Sequence, residues 1–240
     1  WTDKNILRVL DDPASPEPDR DAIWAGVFWN AQVPQIELFT RLKPHLVPMA
    51  RQQSEQRARH VEILAGILLS GWGAWKDGEQ QLVSNDEMRS ALIEGDGEFR
   101  HHVIWTLSRM SDDSELSAER LAVFLREVWP KQKSIRTPQT SAAMCELALS
   151  QKHHFEEIVG LVAGLVSKVS DERIFIPELR NTEETLALQY PDAMLGLLYA
   201  VLPDNRSRWP YGAESALKTL ANALPSIRSD PRFIELEGKP

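Results

Sequence analysis

Apolar residues in this chain recur every three to four positions, and no stretch alternates as a half-buried strand would. Ile23, Trp24, Val27 and Phe28 share one side of a helix, as do Phe155, Ile158, Val159, Val162, Leu165 and Val166. That period predicts an all-α fold and leaves no role for a sheet.

Cap residues and prolines cut the pattern into pieces. Ser84-Asn85-Asp86-Glu87 and Asn181-Thr182-Glu183-Glu184 are capping boxes. Thr137-Pro138 places a cap residue before a proline at the first helical position, and Pro191 and Asp230-Pro231 open later helices. Pro34 opens a helix that Pro44 and Pro48 bend or end, and Pro130 stops another at Trp129. The stretch Asp11–Arg20 reads as an irregular linker, and one helix is expected over His153–Val169. The run "AMLGLLYAVL" at 193–202 is apolar all round, which predicts a central helix. About a dozen helices of roughly 10–18 residues result, joined by short loops. The expected architecture is an irregular antiparallel helical array, solenoid or HEAT-like, with a compact helical bundle as the alternative. No repeat consensus is visible. One all-helical domain over 1–240 is expected, with a possible sub-boundary near 76–84.

A chain of 240 residues, 42% hydrophobic and 26% charged, can bury a core. A formal charge of −8 disfavours nucleic acid and anionic membranes except at a local basic patch. The single cysteine, Cys145, permits no internal disulfide and suits a reducing cytoplasm. The apolar runs at 158–166 and 193–202 fall short of the roughly 20 residues of a membrane span. Starting at Trp1 without a signal peptide, the sequence reads as a fragment of a longer chain.

Catalytic chemistry finds little footing. His101-His102 and His153-His154 are adjacent pairs, whereas two ligands on one helix face lie at i and i+4. The acidic residues at 86–98 and 112–115 lack the calcium-loop spacing and suit helix starts. Cys145 falls mid-helix among Ala142, Met144 and Ala148 and reads as a buried, inert thiol. No nucleophile elbow, Walker loop or dinucleotide fingerprint occurs. Gly160 and Gly164 form a GxxxG that predicts close packing of a neighbouring helix. The expectation is a non-enzyme with no cofactor and no metal. A helical enzyme with an unassembled site is the remaining alternative.

Binding residues are easier to nominate. Lys131, Lys133 and Arg136 crowd a loop that leads into the helix at Pro138. A helix N-terminus flanked by cations attracts anions; the plainer reading is a solvated loop. Arg206, Arg208, Trp209 and Tyr211 interleave arginine with aromatic rings, which suits a nucleic-acid backbone or a protein surface. Core packing is the default for the eight tryptophans; Trp72 and Trp75, in a glycine-containing stretch after a helix, are nominated as the partly exposed interface anchors. The partner expected is a protein or another domain of the same chain. Nucleic acid bound by loops 131–136 and 206–211 is the lesser alternative.

Several stretches, in order, resemble a known family. They are "FRHHVIWTLSRM", "VWPKQKSIRTPQTSAAMCELAL", "HHFEEIVGLVAGLV", "YPDAMLGLLYAVL", Trp209 and "LPSIRSDPRFIEL". Together they are similar to the helical C-terminal region, of uncharacterised function, in large bacterial multidomain proteins. Some of those carry a sirtuin-like NAD-consuming domain and are linked to anti-phage defence. The likeness covers about 99–236 and includes no catalytic signature, so it carries no NAD chemistry to any residue here. It implies a sensor, scaffold or assembly role within a longer polypeptide.

Overall fold

Ser84 shows how local chemistry sets these helices. In the computed structural model its hydroxyl accepts from the Glu87 N–H at 3.2 Å, and the Glu87 carboxylate accepts from the Ser84 N–H at 2.8 Å. Thr137 does the same work alone: its hydroxyl accepts from the Thr140 N–H, and Pro138 fills the first helical position. The structure describes residues 3–29, 36–50, 55–73, 80–111, 115–169 and 183–240. Pro34 and the box residues Asn181 and Thr182 lie outside them. The fold is all-α, with no strand among the described residues. Two compact units divide the chain, Trp1–Thr106 and Leu107–Pro240.

The first unit contains α1 (Asp3–Asp11), α2 (Glu17–Trp29), α3 (Ile36–Met49), α4 (Glu55–Gly73), α5 (Asn85–Glu94) and the first turns of α6 (Gly97–Met110). Helix α3 packs on α1, α4 and α5, and α2 packs on α1 and α4. The linker is shorter than expected, because α2 already begins at Glu17. Glu17 and Asp19 favour its positive end, and Pro18 falls where no intrahelical N–H is needed. Pro44 does not end α3 either. Leu42, Leu46 and Met49 are buried on both sides of it, and packing outweighs the missing hydrogen bond. Gly71 is required for close approach: a Cβ there would lie 2.7 Å from Cζ of Phe39. Its carbonyl accepts from the N–H groups of Leu82 and Val83 at 2.7 and 2.9 Å.

The second unit contains α7 (Glu115–Val123), a π-helical turn (Phe124–Val128), α8 (Pro138–Ser150), α9 (Phe155–Val162), α10 (Glu183–Gln189), α11 (Pro191–Val201), α12 (Ala213–Ala223) and α13 (Pro231–Glu237). Helix α11 meets α8, α9, α10, α12 and α13, which makes the apolar run 193–202 the hub of this unit. Helix α9 meets α7, the π turn, α8 and α11. Most pairings in this unit run through these two helices, and α10 also packs on α12.

Two expectations need correction here. The helix expected to reach Val169 ends at Val162. Beyond it the chain is held by α8 and α11: the Ser167 N–H donates to the Ser141 hydroxyl at 2.9 Å, and the Val169 N–H to the Val201 carbonyl at 2.8 Å. Nor does the GxxxG seat a neighbouring helix among the described residues. A Cβ on Gly160 would meet nothing within 4 Å, and one on Gly164 only the Leu161 carbonyl at 4.0 Å.

Asp230 caps α13, accepting from the Arg232 N–H at 2.8 Å. The Arg232 guanidinium returns to Asp230 through Nε and Nη2 and also reaches Asp192, at the start of α11, at 2.5 Å. One arginine thus ties two helix starts together. Its hydrogen bonds hold the Asp230 carboxyl below its usual 3.8, against a weaker upward push from burial. A depressed native pKa adds stability that is complete above the unfolded value and is lost as pH falls through the native one. Unit 2 is therefore expected to lose stability below about pH 4. Arg232→Ala should flatten that acid limb in urea melts at stepped pH; an unchanged limb would remove this assignment.

Candidate functional site

The π turn explains the basic loop 131–136. In an α-helix the Leu125 carbonyl would accept from the N–H of residue 129. Here the Trp129 N–H donates to Phe124 instead, at 2.8 Å. The next donor in a π pattern would come from residue 130, which is proline and has none. The Leu125 carbonyl is left over, and the Lys131 ammonium donates to it at 2.6 Å. Arg136 Nη2 then donates to the Lys131 carbonyl at 3.0 Å. Lys133, exposed, starts a single 3-10 turn, Lys133–Ile135. Two of the three cations therefore hold backbone, and the first N–H to be capped on α8 already goes to Thr137.

Two tryptophans nominated as binding residues are inside, as core packing of such rings requires. Trp72 is 3% exposed, and its indole N–H donates to Asn85 Oδ1 at 2.8 Å. Trp209 is 8% exposed and donates to the Pro203 carbonyl at 2.9 Å. Each ring gains by burial because a partner waits for its one polar atom. Trp75 lies outside the described residues.

Trp209 nevertheless organises a surface. Asn205 Oδ1 accepts from the Ser207 N–H at 2.9 Å and starts a 3-10 turn over Arg206–Arg208. The turn lays the Arg206 guanidinium over the Trp209 ring, 4.9 Å from its centroid. Arg206 is anchored further by its own N–H, which donates to the Pro240 carbonyl at 2.7 Å. Arg208 stays exposed, and Tyr211 is 62% exposed. Gly212, at φ 93°, then turns the chain into α12 with a backbone that favours glycine.

A cavity of about 480 Å³ opens here, lined by Arg206, Tyr211, Glu214, Ser215 and Lys218 among others. A second, of about 230 Å³, shares Arg206, Glu214 and Lys218 and continues to Arg228, Phe233 and Glu237. Together they form one groove whose charged lining is Arg206, Lys218 and Arg228 against Glu214 and Glu237. Arg206 Nε lies 3.8 Å from Glu214 Oε1, too far for a hydrogen bond, and has no hydrogen-bond partner among the described residues. Of the residues singled out in the sequence, the groove collects Arg206, Trp209 and Tyr211. It adds Glu214, Lys218, Arg228 and Glu237. Glu214 and Lys218 stand at i and i+4 on α12, a spacing visible in "AESALK". Arg228 and Glu237 arrive only by packing.

Other chemistry-bearing groups are placed differently. Cys145 is buried, and burial pushes its thiol well above the ordinary range, so the nucleophilic thiolate is suppressed. The His101 and His102 rings lie 5.7 Å apart. Burial, and then His102, push the His101 pKa down. Among the described residues no group of three or more His, Cys, Asp or Glu side chains is arranged to hold a metal ion, and no helix is long and apolar enough to cross a membrane. Compared with known protein families, curated proteins and solved structures, the chain matches none of them significantly.

Proposed function

We propose that this chain is a non-catalytic helical interaction module of a bacterial protein. It binds a protein, or another part of its own longer polypeptide, through the groove at Arg206, Tyr211 and Lys218. The observation that carries this reading is a preorganised cation beside an exposed ring: Arg206, its side chain one-third exposed, is clamped on Trp209 next to Tyr211. Arginine and tyrosine over a solid floor are the side chains that dominate binding hot spots. Backbone bonds made by Lys131 and Arg136, two of the three cations in loop 131–136, and a suppressed thiol at Cys145 support a binding role at the groove over a chemical one. A sensor or assembly role in anti-phage defence follows from the sequence resemblance over 99–236.

The test is a photo-crosslinking side chain installed at position 211 of the chain in bacterial cells. Discrete adducts are expected, and Lys218→Glu with Arg228→Glu should abolish them while the circular dichroism melt is unchanged. Adducts indifferent to both reversals would overturn the groove, and substrate turnover by the purified chain would overturn the non-catalytic role.

A further inference from the structure

The groove has a charge pattern that selects among partners. The whole chain carries −8, yet the groove walls hold three cations against two carboxylates. The cations are spread along both cavities: Arg206 and Lys218 border each, and Arg228 lies only in the second. Tyr211 stands at the other end, bordering only the first. An elongated ligand with carboxylates along its length and one apolar side chain matches that layout.

We infer that the groove takes an acidic peptide segment. Its carboxylates meet Arg206, Lys218 and Arg228, and an apolar side chain packs against Tyr211. This rests on the interaction-module reading above and adds the chemistry of the partner. Arg206 is the anchor. Its side chain is one-third exposed; Nε is sealed from solvent, Nη1 donates to the Glu237 carbonyl at a long 3.4 Å, and the pairing with Glu214, at 3.8 Å, is loose. A ligand carboxylate that meets the open edge of the guanidinium at about 2.7–2.9 Å makes a charge-assisted bond that Glu214 does not. Because Trp209 already fixes the guanidinium, little side-chain freedom is lost on binding.

The same walls disfavour a nucleic acid. Glu214 and Glu237 border the groove, and a phosphodiester chain repeats its negative charge at every nucleotide with no freedom to skip them. A peptide spaces its carboxylates between apolar or neutral residues and avoids both.

The experiment titrates the full chain into short fluorescent peptides and reads anisotropy at low and physiological salt. One peptide mixes Asp and Glu with Leu and Phe. A second replaces every Asp and Glu by Asn and Gln, a third replaces Leu and Phe by Ser, and a labelled oligothymidylate is the fourth probe. The acidic apolar peptide should bind, with the amide peptide weaker by about tenfold or more. Lys218→Glu and Arg228→Glu, both at exposed positions, should each weaken it about tenfold, and Lys218→Arg should keep it. Equal binding of the amide peptide, tighter binding of oligothymidylate, or no binding would overturn the inference. If the peptide fails while crosslinks at position 211 persist and still require Lys218 and Arg228, only the acidic chemistry falls. If those crosslinks are lost as well, the interaction reading falls with it.

Discussion

Phe155→Ala is expected to destabilise the second unit by about 3–5 kcal/mol, the cost of deleting a buried aromatic ring. The ring is fully buried at the first residue of α9 and lies 5.9 Å from the ring of Tyr190. Helix α9 packs against α7, the π turn, α8 and α11, so loosening its first turn weakens a helix that four elements share. A close-packed interior collapses only partly around such a void. Alanine improves helix propensity by less than about 1 kcal/mol and does not compensate. Urea unfolding with an unchanged m-value, combined with hydrogen exchange in α9, reads the loss. A change under about 1 kcal/mol would mean that the ring is not a central packing element.

Arg100→Leu comes next, at about 2–5 kcal/mol in the first unit. Arg100 is 8% exposed, and its Nη1 donates to the Leu92 carbonyl at 2.9 Å and to Gly95 at 2.5 Å. Those carbonyls end α5, where the helix itself supplies no donor. Burial pushes the guanidinium pKa down and Asp96 pushes it back, yet an arginine remains charged at any physiological pH. Leucine fills much of the space and leaves both carbonyls unsatisfied. Gly95 lets the chain pack closely here, since a Cβ would sit 2.7 Å from the Ala91 carbonyl and 2.7 Å from Cδ1 of Phe99. Arg100→Lys should lose less, because one ammonium can still reach a carbonyl. Leucine as stable as arginine in thermal melts would show that the two carbonyls find other partners.

Features whose causes are local were legible in the sequence. The caps at Ser84, Thr137 and Asp230 depend on residues within three positions, and all three form as their patterns predict. The end of α9 was not legible. Residues 163–169 keep an apolar period, and what breaks the helix is Ser141 and Val201, 26 and 32 positions from their partners Ser167 and Val169. The acceptors that let Trp72 and Trp209 bury their indole N–H groups, Asn85 and Pro203, are likewise not visible in the glycines and arginines beside the rings. The groove was half legible. Arg206 and Tyr211 stand out in one short stretch, and Lys218 follows from helical spacing, but Arg228 and Glu237 depend on how the last two helices close.

The widened turn at Phe124–Val128 fixes the number of residues the chain needs there. Removing one residue would let the ladder relax to α geometry, and each removed position rotates everything downstream by about 100° about the axis. Trp129 would then swing off Phe124, whose ring lies 6.2 Å away, and Lys131 would lose its carbonyl. A shortened segment would thus exchange a widened ladder for a misdirected loop. Relatives of this protein should hold the count between Phe124 and Pro130 fixed even where the side chains differ.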